Sequence, residues 1–315
     1  MRKFTPLLLF VLFSATGPAG QSQASSRPAR QSSSPATVTT VVTALGPNFS
    51  APPPIVQQDV NVYVEKARQS VSSWMRAEGD HAGMQFAILI DDTNSPSTIG
   101  IHFNEIKNFI NSQPPTTEVG IFYAQSGTTR TAANFSSDHE AVAQKLRLPL
   151  GRAASVSPSI YLSVGDFVSH WPQNGMRHEM LVMTSGVDYL YPGLADPYAS
   201  KAIARAETAG VVVYTIYTGG SGLANTRFRM DIAWQNLTQL AENSGGIPFF
   251  QGLQAPVNLI PILRQLQMAL NHQYLVRFDV PRSTSGKGQL RDISLRLEER
   301  SVALHYAQRV FVPGL

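Results

Sequence analysis

Short apolar runs alternate with amphipathic segments along most of this chain. Each run suits a strand that is buried on both faces, and the segments between the runs carry apolar residues at helical spacing. Strands and helices in this order require right-handed crossovers and a mostly parallel sheet covered by helices on both faces. The sequence therefore predicts an α/β fold with a Rossmann-like, doubly wound sheet. The predicted strands are 86–90, 119–124, 180–184, 211–217, 246–250 and 274–280, and the predicted helices are 99–110, 141–146, 157–168, 196–209, 232–243 and 257–271.

The pattern changes on either side of this region. Polar and apolar residues alternate over 59–64, and the chain returns over 71–75, which is typical of a β-hairpin. Alternation over 291–297 and a strand-like stretch at 301–312 predict further strands. Residues rich in Ser, Pro, Ala and Thr precede the hairpin and indicate an extended linker, within which 38–45 could alternatively form a strand. The predicted organisation is a linker at 25–55, an N-terminal β-hairpin extension at 56–80, the α/β domain at 84–272 and a C-terminal β-strand extension at 273–315.

The first residues have the features of a secretory signal. Arg2 and Lys3 precede an apolar run that ends at Phe13, and Ser22-Gln23-Ala24 offers a small-x-small cleavage site. We therefore predict a signal peptide at 1–24 and an exported protein that is periplasmic, on the cell surface or secreted. The apolar run is too short to span a bilayer and no later run is longer, so no transmembrane segment is expected after cleavage. The alternative is an uncleaved membrane anchor.

Composition narrows the possible functions of this 315-residue chain. It contains no cysteine, which excludes disulfides, thiolate metal sites and a cysteine nucleophile. The formal net charge is +4, and Arg2 and Lys3 contribute two of those charges. The remaining positive residues are scattered, so we expect no binding to nucleic acid.

A polar triplet follows the first buried strand at once. Asp91, Thr93 and Ser95 stand at spacing i, i+2, i+4, in the form D-x-T-x-S. Ligand sites of parallel α/β sheets lie at the carboxyl ends of the strands. One carboxylate and two hydroxyls there suit a hard divalent cation such as Mg²⁺. The alternative is an Asp-rich turn that caps the next helix.

This triplet and several later segments, in the same order, resemble a von Willebrand factor A (VWA) domain over roughly 84–272. Residues 209–216 (AGVVVYTI) resemble a strand of that family, and 237–246 (LTQLAENSGG) resemble its following helix and turn. The tail, 274–278 and then 291–297, resembles the end of exported bacterial VWA-related proteins of the kind abundant in acidobacteria. The resemblance implies a VWA fold and a role in adhesion or protein–protein recognition.

The resemblance also implies a metal-ion-dependent adhesion site formed by three loops. Asp91, Thr93 and Ser95 match the first loop with its hydroxyls kept. The second loop supplies a Thr just before a helix, and Ser155 is the best match to that position. Ser157 is the alternate, although it also suits a helix N-cap.

The third loop departs from the family pattern. Ser185 stands where the family has an Asp, so the implied Mg²⁺ site is degenerate and carries one carboxylate fewer. Cation affinity depends on the number of charged ligands. Asp92 and Asp188 are the nearest carboxylates that could compensate.

We therefore expect a protein-binding or adhesion module whose protein or peptide partner could present an acidic side chain. The alternative is a structural or assembly protein of the envelope with an inactive cation site, whose end strands pair with a neighbouring chain. A hydrolase is the less favoured reading. Residues 218–223 do not form a nucleophile elbow because Leu223 replaces its second Gly, and His178-Glu179 lacks the second His of a zinc motif. We expect no enzyme activity.

Aromatic residues near the predicted ligand loops have two readings. They could line a rim that contacts a partner, since aromatic residues are enriched at interface hot spots. They could equally belong to the core. The residues concerned are Trp171, Tyr189, Tyr191 and Trp234.

Overall fold

The structure is a computed structural model that describes residues 35–151, 159–191, 193–219, 226–282, 286–299 and 301–314. The predicted signal peptide at 1–24, Ser155 and Ser157 lie outside these residues. Within the described ranges, no helix is both long enough and apolar enough to cross a membrane.

Strands and helices alternate through the middle of the chain, and strands alone occupy both ends. The strands are β1 (Ala36–Leu45), β2 (Val60–Val64), β3 (Ala67–Gln69), β4 (Val71–Arg76), β5 (Met84–Asp91), β6 (Thr117–Gln125), β7 (Thr128–Ser136), β8 (Arg177–Thr184), β9 (Val212–Tyr217), β10 (Pro248–Phe249), β11 (Gln273–Val280), β12 (Gln289–Leu297), β13 (Ala303–Tyr306) and β14 (Arg309–Val312). The helices are α1 (Pro96–Gly100), α2 (Phe103–Asn111), α3 (His139–Gln144), α4 (Ile160–His170), α5 (Pro197–Ala209), α6 (Arg227–Ser244) and α7 (Ile260–Asn271).

A six-stranded sheet forms the centre of the molecule, in the order β10-β9-β8-β5-β6-β7. All neighbouring strands pair in parallel except β6 and β7. Successive residues of β5 point to opposite faces, so Ile88 packs with α2, α3 and α7, while Leu89 packs with α4, α5 and α6. The α/β prediction of a doubly wound, mostly parallel sheet is confirmed. The antiparallel edge strand β7 was not predicted, because its mostly polar sequence has no apolar run.

Two four-stranded sheets pack into a β-sandwich built from both ends of the described chain. Their orders are β13-β1-β11-β4 and β14-β12-β2-β3, and a separate apolar core lies between them. The predicted hairpin partner of β2, the stretch 71–75, is wrong: β2 forms its hairpin with β3, and β4 joins the other sheet. The predicted buried strand at 274–280 corresponds to β11, which belongs to this sandwich and not to the parallel sheet.

The interval 25–55, predicted as a linker, contains strand β1. This strand lies inside its sheet, between β11 and β13, and residues such as Val38 and Val42 are buried. The linker prediction was therefore wrong for these residues. The Thr and Ala that suggested a linker alternate with Val, and Thr and Val are β-branched residues that favour strands.

Buried polar groups join the sandwich to the parallel sheet at the amino ends of its strands, here called the amino edge. Arg177 donates to Glu179 at 3.4 Å and also to Gln273, and Gln273 donates to Glu179 at 3.0 Å. Nearby, the Nε of Arg309 on β14 donates to Glu207 of α5 at 3.1 Å. These contacts cross between the two parts of the structure and hold them together.

Candidate functional site

Asp91 ends β5 at the opposite side of the sheet, here called the carboxyl edge, and is only 8% exposed. Its Oδ1 accepts hydrogen bonds from the backbone N of Thr93 at 3.0 Å and from the Thr93 hydroxyl at 2.7 Å. Its Oδ2 accepts from the hydroxyl of Thr184, the last residue of β8, at 2.6 Å. Both oxygens of this carboxylate therefore face hydroxyl donors.

Burial raises the pKa of Asp91, and the hydrogen bonds from Thr184 and Thr93 oppose that rise. Thr184 is fully buried, and its own hydroxyl oxygen accepts from the backbone N of Gly186 at 2.9 Å. Thr184 thus couples the first and third loops, a contact that the sequence did not reveal because the motif points to Ser185. The sequence signal that could have identified Thr184 is a hydroxyl residue at the last position of a predicted central strand.

The other predicted ligands are placed less closely. The hydroxyls of Ser95 and Ser97 lie 2.9 Å apart at the start of α1. Ser185 is partly exposed and follows Thr184. Ser155 lies outside the described residues. Of the predicted set, the structure brings Asp91 and Thr93 into direct contact and adds Thr184.

Asp92 faces away from this cluster and binds an arginine. It is fully buried, and its two oxygens accept from the guanidinium of Arg147 at 2.8 and 2.9 Å. The same guanidinium stacks on the ring of Tyr123, 3.7 Å from its centroid, and Leu150 N donates to Asp92 at 2.9 Å. Asp92 therefore anchors the loop after α3 to the carboxyl edge and does not supply the missing charge beside Asp91.

Asn94 ties two further loops to the same edge. It is buried, its side-chain amide donates to the backbone O of Met183 at 3.1 Å, and its Oδ1 accepts from the Thr218 hydroxyl at 2.9 Å. Met183 lies in β8 and Thr218 follows β9, so one amide links the loop after β5 to the carboxyl ends of β8 and β9. The predicted triplet omits this residue.

Asp188 is also engaged within its own loop. Its Oδ2 accepts from the Ser159 hydroxyl at 2.5 Å, and its Oδ1 accepts from the backbone N of Leu190 at 2.6 Å and of Tyr191 at 3.1 Å. These bonds hold Asp188 away from the contacts of Asp91. Neither carboxylate that could replace the missing Asp is therefore directed at Asp91.

The described donors around Asp91 do not by themselves fit a resident divalent cation. They comprise one carboxylate and two hydroxyls that donate to it. Within the part of the chain that the structure describes, no three acidic or histidine side chains are grouped as metal ligands. The predicted Mg²⁺ site, which includes Ser155, stays a prediction.

Large apolar side chains are exposed around this cluster. Twelve described residues of this kind are exposed. Val56 and Phe311 belong to the sandwich, Trp234 lies in the third turn of α6, and the other nine lie in loops or first helical turns at the carboxyl edge. Tyr191 and Trp234 are 39% and 36% exposed, whereas Trp171 is buried and stacked on His178. The aromatic-rim reading thus fits two of the four residues. The ten residues, here called the apolar rim, are Ile101, Leu148, Leu150, Leu190, Tyr191, Leu194, Phe228, Trp234, Val257 and Ile260.

The strand order, the helices on both faces and the polar loop after the first parallel strand give this chain a VWA-like fold. No protein-family model and no curated protein sequence matches it. Its fold is similar to that of several solved structures at low identity. An aerotolerance-related membrane protein from Bacteroides fragilis aligns with 60% of this chain and 99% of its own, at 15% identity and a TM-score of 0.41.

Two further structures are similar at the same level. BatB from Bacteroides thetaiotaomicron aligns with 59% of this chain and 99% of its own, at 17% identity and a TM-score of 0.40. A von Willebrand factor type A protein from Catenulispora acidiphila aligns with 91% of this chain and 75% of its own, at 10% identity and a TM-score of 0.43. The fold assignment rests on the strand order of the chain itself.

Proposed function

We propose that the protein is a recognition module, not an enzyme, and that it binds a protein or peptide partner with the apolar rim. The observation that carries this proposal is the concentration of exposed large apolar side chains at one edge of the sheet. Isolated exposed apolar residues are ordinary, whereas many of them gathered at one edge of a sheet are typical of an interaction surface. In this proposal the protein is exported and acts in adhesion.

The loops beneath the rim are fixed before any partner arrives. Arg147 holds the loop of Leu148 and Leu150 to Asp92, and Asn94 links the loop after β5 to β8 and to Thr218 after β9. A surface that is already ordered loses less conformational entropy on binding. This preorganisation supports recognition by burial of apolar side chains.

A partner's acidic side chain has an exposed arginine near the same edge. Arg227 is exposed at the start of α6, whereas Arg147 is already paired with Asp92. An acidic group could therefore be bound without a metal ion. Capture in the presence and absence of EDTA tests whether Mg²⁺ contributes to binding.

Assembly through the end strands is less supported. A long exposed edge strand is what pairs with another chain. Three of the four outer strands of the sandwich are short, with three residues in β3 and four each in β13 and β14, and the fourth, β4, has six residues. The longest strands, β1, β11 and β12, lie inside their sheets.

The test is partner capture from a native envelope fraction by two matched double variants. Leu194→Asp with Val257→Asp places charges on the rim, whereas Val56→Asp with Phe311→Asp places the same charges on exposed apolar positions of the sandwich. We expect the rim variant to lose a partner that the wild type and the sandwich variant both retain. Equal capture by both variants would contradict the proposal.

A second arm of the same capture uses EDTA. The predicted cation site would be supported if EDTA abolishes capture by the wild type and Mg²⁺ restores it, while Mg²⁺ restores no capture by Asp91→Ala. Capture that is unaffected by EDTA would show that the rim acts without a cation.

A further inference from the structure

A crevice of about 510 Å³ opens at the amino edge, between the parallel sheet and the sandwich. Strands β1 and β11 form one wall, and the first residues of β8 and β9 form the floor. Small-molecule sites commonly have volumes of about 300–1,000 Å³ and are often found between domains. The crevice lies at the edge opposite to the apolar rim, so its occupancy is independent of the proposed function.

The sandwich wall of the crevice passes from polar to apolar. In the pairing of β1 with β11, Thr39 lies opposite Arg277, and Val41 lies opposite Leu275. Residues two apart in a strand point to the same face, and all four of these residues line the crevice. Thr39 and Arg277 are exposed, whereas Val41 and Leu275 are partly buried. One end of this wall is therefore cationic, and its middle is apolar.

The other end of the crevice is formed by the segment between β4 and β5, which carries Asp80. This segment is fixed on both sides of Asp80. The backbone N of Ala77 donates to the backbone O of Gln273 at 2.9 Å, and the backbone O of Ala82 accepts from the guanidinium of Arg177 at 2.9 Å. Asp80 itself lines the crevice. Its carboxylate therefore lies near the Gln273 end of β11.

Asp80 and Arg277 are available to a ligand. Both side chains are exposed, and neither forms an ion pair or a side-chain hydrogen bond with another of the residues that the structure describes. Arg177 also lines the crevice, but its guanidinium is bound to Glu179 and to the backbone O of Ala82. One end of the crevice thus offers a carboxylate and the other a guanidinium.

The third side of the crevice is already ordered. Oδ1 of Asn174 accepts from the backbone N of Met176 at 3.1 Å and lies 3.0 Å from Nε2 of His178. The ring of His178 is buried and stacks on Trp171. Burial lowers the pKa of His178, so its ring adds no charge to the crevice at neutral pH. A site that is ordered before binding loses less conformational entropy when a ligand enters.

The separation of the two charged ends sets the length of the ligand. Gln273 and Arg277 are four residues apart on β11, which places their Cα atoms about 14 Å from each other. An extended peptide advances about 3.3–3.6 Å per residue. Because the side chains of Asp80 and Arg277 shorten the gap, about two or three peptide residues span it.

We propose that the crevice binds a short peptide with free termini, about two or three residues long. The ammonium group of the peptide donates to Asp80, and its carboxylate accepts from Arg277. An apolar side chain of the peptide packs on Val41 and Leu275. Charge-assisted hydrogen bonds at both ends select a zwitterion and fix its direction.

The test measures the binding of alanyl-leucyl-alanine to the purified protein by isothermal titration calorimetry. Its N-acetylated form lacks the ammonium group, its C-terminal amide lacks the carboxylate, and free leucine is too short to reach both ends. We expect the tripeptide to bind at least about tenfold more tightly than each of these three compounds, because each loses a hydrogen bond between charged groups.

Two variants assign the ends of the peptide. Arg277→Gln should weaken binding of the tripeptide about tenfold and leave the amide unaffected, and Asp80→Asn should do the same for the tripeptide and the N-acetylated form. The effects of variant and blocked peptide should not add, because both remove the same contact. Arg264→Gln and Asp231→Asn, at exposed positions of α7 and α6, are the matched controls and should bind like the wild type.

A third variant fills the crevice. Thr39→Trp places a large side chain there from an exposed strand position, where tryptophan is well tolerated. We expect the Tm to stay unchanged and the binding of the tripeptide to be lost.

Four results would overturn the proposal. They are the absence of binding at millimolar tripeptide, equal affinity for the tripeptide and either blocked form, equal affinity for free leucine, and undiminished binding by Thr39→Trp.

Discussion

At the amino edge of the parallel sheet, charged side chains are buried against the sandwich, whereas at the carboxyl edge large apolar side chains are exposed to solvent. Glu179 and Glu207 are 0% and 3% exposed at the first edge, while Leu194 and Val257 are 71% and 91% exposed at the second. The usual distribution of polar and apolar side chains is thus inverted at both edges. We interpret the first edge as serving stability and the second as serving binding.

Polar groups also differ in purpose between the two edges. At the amino edge they join separate parts of the fold, as Gln273 does between β11 and β8. At the carboxyl edge they fix loops, as Asp92 does for the segment of Arg147 and Leu150. Substitutions at the two edges should therefore have effects of different size and kind.

The largest effect on stability is expected for Arg177→Met. It leaves Glu179 buried without its cationic partner, which costs about 3–5 kcal/mol. Urea unfolding should show this loss, and Arg264→Met at an exposed position of α7 should change little. Similar unfolding curves for both variants would contradict the stabilising role that we assign to the buried charges of the amino edge.

A smaller loss is expected for Arg147→Met at the carboxyl edge. It removes two hydrogen bonds from buried Asp92, a loss of about 1.5–3 kcal/mol, and frees the loop that carries Leu148 and Leu150. Arg147→Lys should recover only part of this, because a lysine cannot bind both carboxylate oxygens in the same planar geometry. Full recovery by Lys would show that charge alone fixes the loop.

Thr184→Val should cost about 1 kcal/mol near neutral pH. In the wild type, the hydrogen bond from the Thr184 hydroxyl lowers the pKa of Asp91. Because the substitution removes this hydroxyl, the pKa of Asp91 should rise further. A raised pKa contributes stability in acid that is lost as the pH rises through it. The destabilisation should therefore grow with pH, and chemical unfolding at two pH values measures it. A loss that is independent of pH would contradict the contact.

The smallest effect is expected for the rim itself. Leu194→Asp and Val257→Asp should change the free energy of unfolding by less than about 0.5 kcal/mol, because both side chains are exposed. Thermal unfolding of the two variants checks this expectation. A large loss would mean that these residues stabilise the fold, and the binding interpretation would weaken.

Hydrophobic periodicity was sufficient for the parallel sheet and most helices, since strands such as β5 and β8 are buried on both faces. It failed for β1 and β7, whose Thr-rich sequences resemble linkers and turns until a partner strand is known. Sequence spacing located Asp91 and Thr93. Thr184 and Asn94 could not be found in this way, because their roles depend on contacts between loops that are far apart in the chain.

The most direct test of the binding face is amide hydrogen exchange of the captured complex compared with the free protein. The account predicts new protection at the carboxyl edge, over residues 186–191, 193–196 and 250–259, and unchanged exchange in β2, β3 and β12. Protection confined to the sandwich strands, with the rim loops unaffected, would contradict it.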